Sequence, residues 1–366
     1  MLSVRMNPLQ VTDWKKPFKL SKRKIMQAKK VIIQQPQKAE LVEFNLDETL
    51  ASHELLIQAQ YTLISAGTEG SIFGGGVDIA TGKTFVYPRE KMGYANVGKV
   101  LAAGKSLANQ FKEGDIVLNT CPHASHWKLD LLTKEMCLKI PDGLDSKKAV
   151  FTRMAMVSAT ALRRASLSAG DKMVVIGAGL VGNFAAQMFT LAGADVLLAD
   201  ISDKRLLKAR ECGVRLTINS AKQELAPYVD KWTHGRGAQI VVEAVGSPQL
   251  IIQAIDATCR NGEVILLGVP WPGPKPTDMV PALGRVFRMG ISVKGSIEWS
   301  YSVTENEFLR HSIVGNCRQI MDWLKDARLQ TDALMTHLVA PAQCQEAYFG
   351  LANKKDEYFS VVFDWK

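Results

Sequence analysis

A short apolar run, Met173-Val174-Val175-Ile176, leads directly into Gly177-Ala178-Gly179-Leu180-Val181-Gly182, and a helical pattern leaves it. Asp200 stands 23 residues after the first glycine, at the end of the next apolar run, Val196-Leu197-Leu198-Ala199. Few folds accept this sequence of strand, glycine loop, helix, strand and acid. Gly177 permits the tight turn, Gly179 lets the backbone approach a diphosphate, and Gly182 lets helix and strand pack closely. The diphosphate of a dinucleotide then rests on the helix N-terminus, at Leu180 and Val181. Asp200 can accept hydrogen bonds from both hydroxyls of an adenosine ribose. A 2′-phosphate at ~4 Å from it would meet like charge, costing up to ~4 kcal/mol at an effective dielectric of ~20. Arg205, five residues on, can instead pair with a phosphate. The residues favour NAD(H) over NADP(H).

The surrounding pattern agrees. Helices expected at about Leu180–Ala192, Lys204–Cys212 and Pro248–Thr258 alternate with the apolar runs at 173–176, 196–199, 239–243 and 263–267. Near-continuous apolar strands alternating with helices indicate a parallel sheet covered on both faces. Before it, Val31-Ile32-Ile33, residues 41–44, 55–59 and 97–101, and Ile116-Val117-Leu118 read as short strands separated by turn residues. A helical spacing runs from Ala149 to Ala165. After Ser296 a helix is expected over Asn306–Lys325, then strand-like pieces ending in Tyr358–Phe363. The fold class is therefore α/β: a doubly wound Rossmann sheet plus a second, β-rich part.

The net charge of +9 would point to nucleic acid if it were spread over the chain. It is not. Residues 1–30 hold nine basic groups against Asp13, leaving 36 basic and 35 acidic residues in the other 336. A basic tail is ordinarily a solvated extension, so no nucleic-acid partner is expected. Val174–Ala194 carries no charge over 21 residues, long enough to span a bilayer. Its three glycines, with Asn183, Gln187 and Thr190, make it a strand, turn and buried helix instead, and no membrane association is expected. The six cysteines form no C-x-x-C and read as free thiols of a reducing, cytoplasmic compartment.

Further motifs stand in order along the chain: Leu63-Ile64-Ser65-Ala66-Gly67-Thr68-Glu69, Gly93 to Lys99, Phe111 to Val117, Lys139-Ile140-Pro141-Asp142-Gly143, Val242 to Gly246, Leu266 to Pro270 and Lys294-Gly295-Ser296. With the glycine loop, this set resembles the medium-chain dehydrogenase/reductase superfamily across residues 26–366. The resemblance implies a GroES-like β-barrel catalytic domain from both chain ends (26–153 and 297–366) around a Rossmann domain (154–296). Residues 1–25 become a basic extension. It further implies cofactor contacts at Gly246, Val269, Ser296 and Arg205, a small-molecule substrate, and a homodimer through the Rossmann sheet edge near Val286–Lys294.

Departures from the family matter as much. Where zinc-dependent members place a cysteine, this chain has Ala66; their Gly-His-Glu motif corresponds to Gly93-Tyr94-Ala95, and their third ligand falls on Thr152. Alanine, tyrosine and threonine do not hold a catalytic zinc, and no metal site is expected. Cys121 with His123 and His126 is the remaining cluster of ligand type, read as pocket or core. The Ser-Ala-Gly-Thr-Glu run is similar to a zinc-free branch with bacteriochlorophyllide dehydrogenase-like and sugar or cyclitol dehydrogenase-like members. Something other than zinc must then stabilise oxyanion charge during hydride transfer. Thr68 matches the family's proton-relay position. Tyr94 takes a ligand's place, as a proton donor or as packing that fills the vacated site. Arg153 either binds an anionic substrate or faces solvent, Glu69 and Glu298 are lesser candidates, and His123 is an acid/base or a satisfied core histidine. The expected activity is zinc-independent, NAD-dependent interconversion of a secondary alcohol and a ketone. Reduction of an activated C=C bond, as in quinone or enoyl reductases, and a non-catalytic dinucleotide sensor or scaffold are the alternatives.

Overall fold

A computed structural model describes residues 24–78, 81–133, 135–270 and 276–366. The greater part of the basic extension, and Trp271–Lys275 of the proline-rich run 270–276, expected as a stiff loop at the cleft mouth, lie outside the described residues.

Six parallel strands form one sheet, in the spatial order Leu216–Asn219, Asp195–Asp200, Lys172–Ile176, Ala238–Glu243, Thr258–Leu266 and Ser292–Gly295. Along Lys172–Ile176 the side chains alternate between two cores. Met173 and Val175 pack with Ala185, Ala186 and Phe189 of the helix that leaves the glycine loop. Val174 and Ile176 face the other way, onto Ile251, Ala254 and Ile255 of the helix Pro248–Ala257. Burial on both faces explains why the strand is apolar at consecutive positions rather than at every second one.

The second sheet is mixed and takes strands from both chain ends. Its order is His337–Val339, Val361–Asp364, Glu54–Leu63, Asn96–Ala103, Ile116–Asn119 and Cys137–Lys139, with His126–Asp130 also paired to Glu54–Leu63. A hairpin of Ile25–Gln35 and Lys38–Asp47 flanks it, so the first strand begins at Ile25, inside the expected extension. A further core lies where the two sheets' layers meet. There Tyr61, Leu63 and Val97 join Met154 and Ala155 of the helix Thr152–Arg164, Phe184 and Met188, and Ile320 and Met321.

One expected helix is shorter than its pattern. It spans Ile313–Lys325 rather than starting at Asn306, because Ser312 caps it, accepting a hydrogen bond from the Gly315 N–H at 2.9 Å. Ser312 itself is extended (φ −136°, ψ 165°), so the helix does not continue through it toward Asn306. Among the described residues, no helix is long and apolar enough to cross a membrane.

Candidate active site

The glycine loop folds as its residues require. Gly177 has φ +101°, and a Cβ on Gly182 would lie 1.8 Å from the Gly177 carbonyl oxygen, so no larger residue fits either position. The helix Leu180–Leu191 starts at Gly179 with no side-chain cap. Its first N–H groups at Leu180 and Val181 therefore remain for an anion. Asp200 closes the site from the neighbouring strand. Its Oδ2 accepts the Ala178 N–H at 2.7 Å and its Oδ1 the Ser202 N–H at 2.9 Å, which leaves each oxygen a lone pair for a ribose hydroxyl. Arg205 lies beside Gly179, with Nη2 donating to the Lys355 carbonyl at 3.1 Å. Gly246 packs directly on the Val269 backbone. Ser296 is buried at the end of the edge strand, with its hydroxyl 2.7 Å from that of Thr160. Glu243, at the end of the central strand, receives the N–H groups of Val245 and Gly246 at 2.9 Å and so shapes that turn; burial pushes its carboxyl up.

A cavity of about 390 Å³ opens among Tyr94, Thr120, Glu135, Arg153 and Trp299. Tyr94 follows the turn at Gly93, whose φ is +86° and whose missing Cβ leaves room for the His123 ring. Its phenol donates to Ser65 Oγ at 2.7 Å. Burial raises the Tyr94 phenol above its ordinary value, while the Arg153 guanidinium, 4.8 Å from the ring centre, and the Ser65 and Thr68 hydroxyls pull it down. Arg153 is 1% exposed and binds Glu298 through both terminal nitrogens, at 2.6 and 2.5 Å. The Trp299 ring centre lies 5.6 Å from the same guanidinium. The pair joins the start of the helix Thr152–Arg164 to the short helical turn Glu298–Ser300.

Of the candidate residues, Tyr94 and Arg153 meet in this cavity, and Thr68, exposed at the start of the helical turn Thr68–Phe73, borders the phenol. Arg153 neither faces solvent nor stands free as a cation. Glu69 and His123 sit behind the cavity wall, 2% and 0% exposed. Glu69 accepts from the Ser65 N–H at 2.8 Å and the Tyr348 hydroxyl at 2.5 Å, and lies 3.1 Å from His123 Nε2. Three participants were not picked out individually from the sequence: Ser65, Trp299 and Tyr348. Ser65 and Trp299 adjoin residues that were, but Tyr348 comes from 279 positions away and carries no local signal.

Of the three residues that the sequence resemblance matched to zinc ligands, Ala66, Tyr94 and Thr152, the last has a buried hydroxyl with no partner. Among the described residues no three His, Cys, Asp or Glu side chains are grouped to hold a metal. Cys121 is buried, which drives its thiol well above the usual range and away from the thiolate a metal needs, and His123 is turned onto Glu69.

Comparison with known proteins adds the wider context. Residues 181–312 match a family model described as zinc-binding dehydrogenase. The chain is 26% identical over 372 aligned positions to an uncharacterised zinc-type alcohol dehydrogenase-like protein of Escherichia coli, covering 92% of this chain and 99% of that one. It is 23% identical to a sorbitol dehydrogenase of Halalkalibacterium halodurans, over 73% of this chain and 90% of that one. The crystal structure of galactitol-1-phosphate dehydrogenase from Escherichia coli superposes with a TM-score of 0.78 at 19% identity, covering 92% of this chain and 99% of that one.

Proposed function

This chain belongs to the zinc-type alcohol dehydrogenase-like family of the medium-chain dehydrogenase/reductases, and from that premise we propose a zinc-independent, NAD(H)-dependent oxidoreductase that interconverts a secondary alcohol and a ketone. The observation that carries this reading is the Tyr94 phenol, which lines a cavity beside Arg153 and is held by Ser65, at a position where the resemblance places a zinc ligand and where Ala66 and Thr152 take the other two ligand places. Those three residues do not fit zinc, and no step here runs through a metal.

The glycine loop and Asp200 fit NAD(H), which when bound exchanges hydride with the carbinol carbon of the substrate. The protein's own residues handle the proton. In ketone reduction, Tyr94 donates its phenolic proton to the carbonyl oxygen as negative charge develops there. Ser65 and Thr68 resupply it, with exposed Thr68 giving the route to solvent. In alcohol oxidation the same chain runs backwards. Arg153 lies over the Tyr94 ring and stabilises the phenolate formed in between, and Glu298 fixes the guanidinium there. Glu69 and His123 act as positioning residues, because Glu69 holds the Ser65 backbone from behind. The relation to a sorbitol dehydrogenase favours a sugar- or cyclitol-like substrate.

The same reading divides the chain into a catalytic unit of 26–153 and 297–366 and a dinucleotide-binding unit of 154–296. The division is supported by the pairing of Val361–Asp364 with Glu54–Leu63. A homodimer is supported by the exposed edge strand Ser292–Gly295 and by Val280, Leu283 and Phe287. These last three are 72, 56 and 88% exposed along one face of the helix Val280–Met289.

The test is turnover of a panel of secondary alcohols with NAD⁺, before and after exhaustive chelation, in the wild type and in Tyr94→Phe. Activity that survives chelation and falls by roughly 10²–10³ in the variant supports the reading. Activity lost on chelation and restored by zinc, or untouched by the substitution, refutes it.

A further inference from the structure

A second cavity, of about 430 Å³, lies at the other end of the helix Thr152–Arg164 and shares no lining residue with the Tyr94 cavity. Its volume is that of a small-molecule site. Its wall carries Arg163, Arg310, His311 and Asn316, together with Glu305. Among the described residues neither Arg163 nor Arg310 has a carboxylate within ion-pair distance; Arg163 donates to the amide oxygens of Asn316 and Gln319, and the one carboxylate in the wall, Glu305, is paired with Arg318.

Asn316 makes the arrangement directional. It is 3% exposed, and its Oδ1 accepts from Arg163 Nε at 3.0 Å. That bond turns the amide so that Nδ2 is the free end, and Nδ2 is buried with no partner. A buried donor left without an acceptor costs free energy unless a ligand supplies one. The cavity also lies at the start of the helix Ile313–Lys325, where the backbone dipole favours negative charge. His311 senses the same field: burial first, and then Arg163 and Arg310, hold its imidazole below the usual value.

We propose that this cavity is an anion-binding site for a phosphate group, bound between Arg163 and Arg310 and hydrogen-bonded by the Asn316 amide. Guanidinium forks match phosphate oxygens in geometry as well as charge. The site is separate from the glycine loop and does not depend on the proposed reaction.

Calorimetric titration of the full chain with inorganic phosphate, at ionic strength held constant with sodium chloride, tests this. Arg310→Gln removes one exposed cation without disturbing packing, and Asn316→Asp places a carboxylate where the amide donor stands. Saturable binding that weakens about tenfold in Arg310→Gln, and at least as much in Asn316→Asp, supports the site. Neither substitution touches the glycine loop, so phosphate binding that persists unchanged in Arg310→Gln belongs to that loop and overturns the proposal. Absence of saturable binding overturns it equally. Repeating the titration with glycerol 3-phosphate separates two sources of the same chemistry. Tighter binding than phosphate assigns the site to a phosphorylated metabolite, and equal binding assigns it to the free ion.

Discussion

Tyr94 meets two opposed influences at one oxygen. Burial favours the neutral phenol, while Arg153 and two hydroxyls favour its anion, and burial is the larger effect. The phenol therefore keeps its proton throughout the neutral range and loses it only above the ordinary tyrosine value near ~10. The sign of the pH dependence follows. Ketone reduction, which consumes the proton, should be level through neutral pH and decline only in strongly alkaline solution. Alcohol oxidation, which needs the phenolate, should rise with pH over the same interval. Initial rates in both directions between pH 6 and 11 check this, and a reduction rate that falls near neutrality would count against Tyr94. Asp200 offers a second residue-scale test. Asp200→Ala removes the ribose acceptor and frees the Ala178 N–H. NADH should bind more weakly and the preference over NADPH should shrink, as followed by fluorescence titration. If the wild type already prefers NADPH, Arg205 outweighs Asp200.

At the scale of elements, the Arg153–Glu298 pair ties a long helix to a turn 145 residues away. A buried ion pair of this kind is costly to break on one side only, because the remaining charge loses its partner. Glu298→Ala should destabilise the fold by about 3–5 kcal/mol in denaturant unfolding, whereas Arg153→Met with Glu298→Leu should recover most of that loss. Failure of the double variant to recover would mean that packing around Trp299, rather than charge, governs the contact. The sequence placed Arg153 at the right end of its helix but left it between solvent and substrate. Its partner is too distant in sequence for any local pattern to show.

For the whole molecule, the proposed homodimer would cover the exposed apolar face of the helix Val280–Met289 beside the edge strand Ser292–Gly295. Phe287→Glu should shift the protein toward monomer in sedimentation velocity while leaving the thermal unfolding of the monomer little changed. A wild type that is monomeric at micromolar concentration would remove the dimer from the account.

The parallel sheet, the glycine loop and Asp200 were legible in the amino-acid sequence alone, because each rests on local chemistry. Apolar continuity marks strands buried on both faces, glycine spacing marks a close backbone approach, and a single acid ends the next strand. The proposed replacement of a ligand set by Ala66, Tyr94 and Thr152 also starts from the sequence, since it is a matter of residue type at positions matched by the resemblance, and the chelation experiment decides it. What the tertiary structure decided was which candidates share a space. It brought Tyr94, Arg153, Glu298 and Trp299 together and drew Tyr348 and His123 onto Glu69, behind the wall. These outcomes depend on burial and on partners 54 to 279 residues apart. A pattern confined to a window of neighbours carries no information about such contacts, because what fixes them is the packing of the two sheets and not the preference of any one segment.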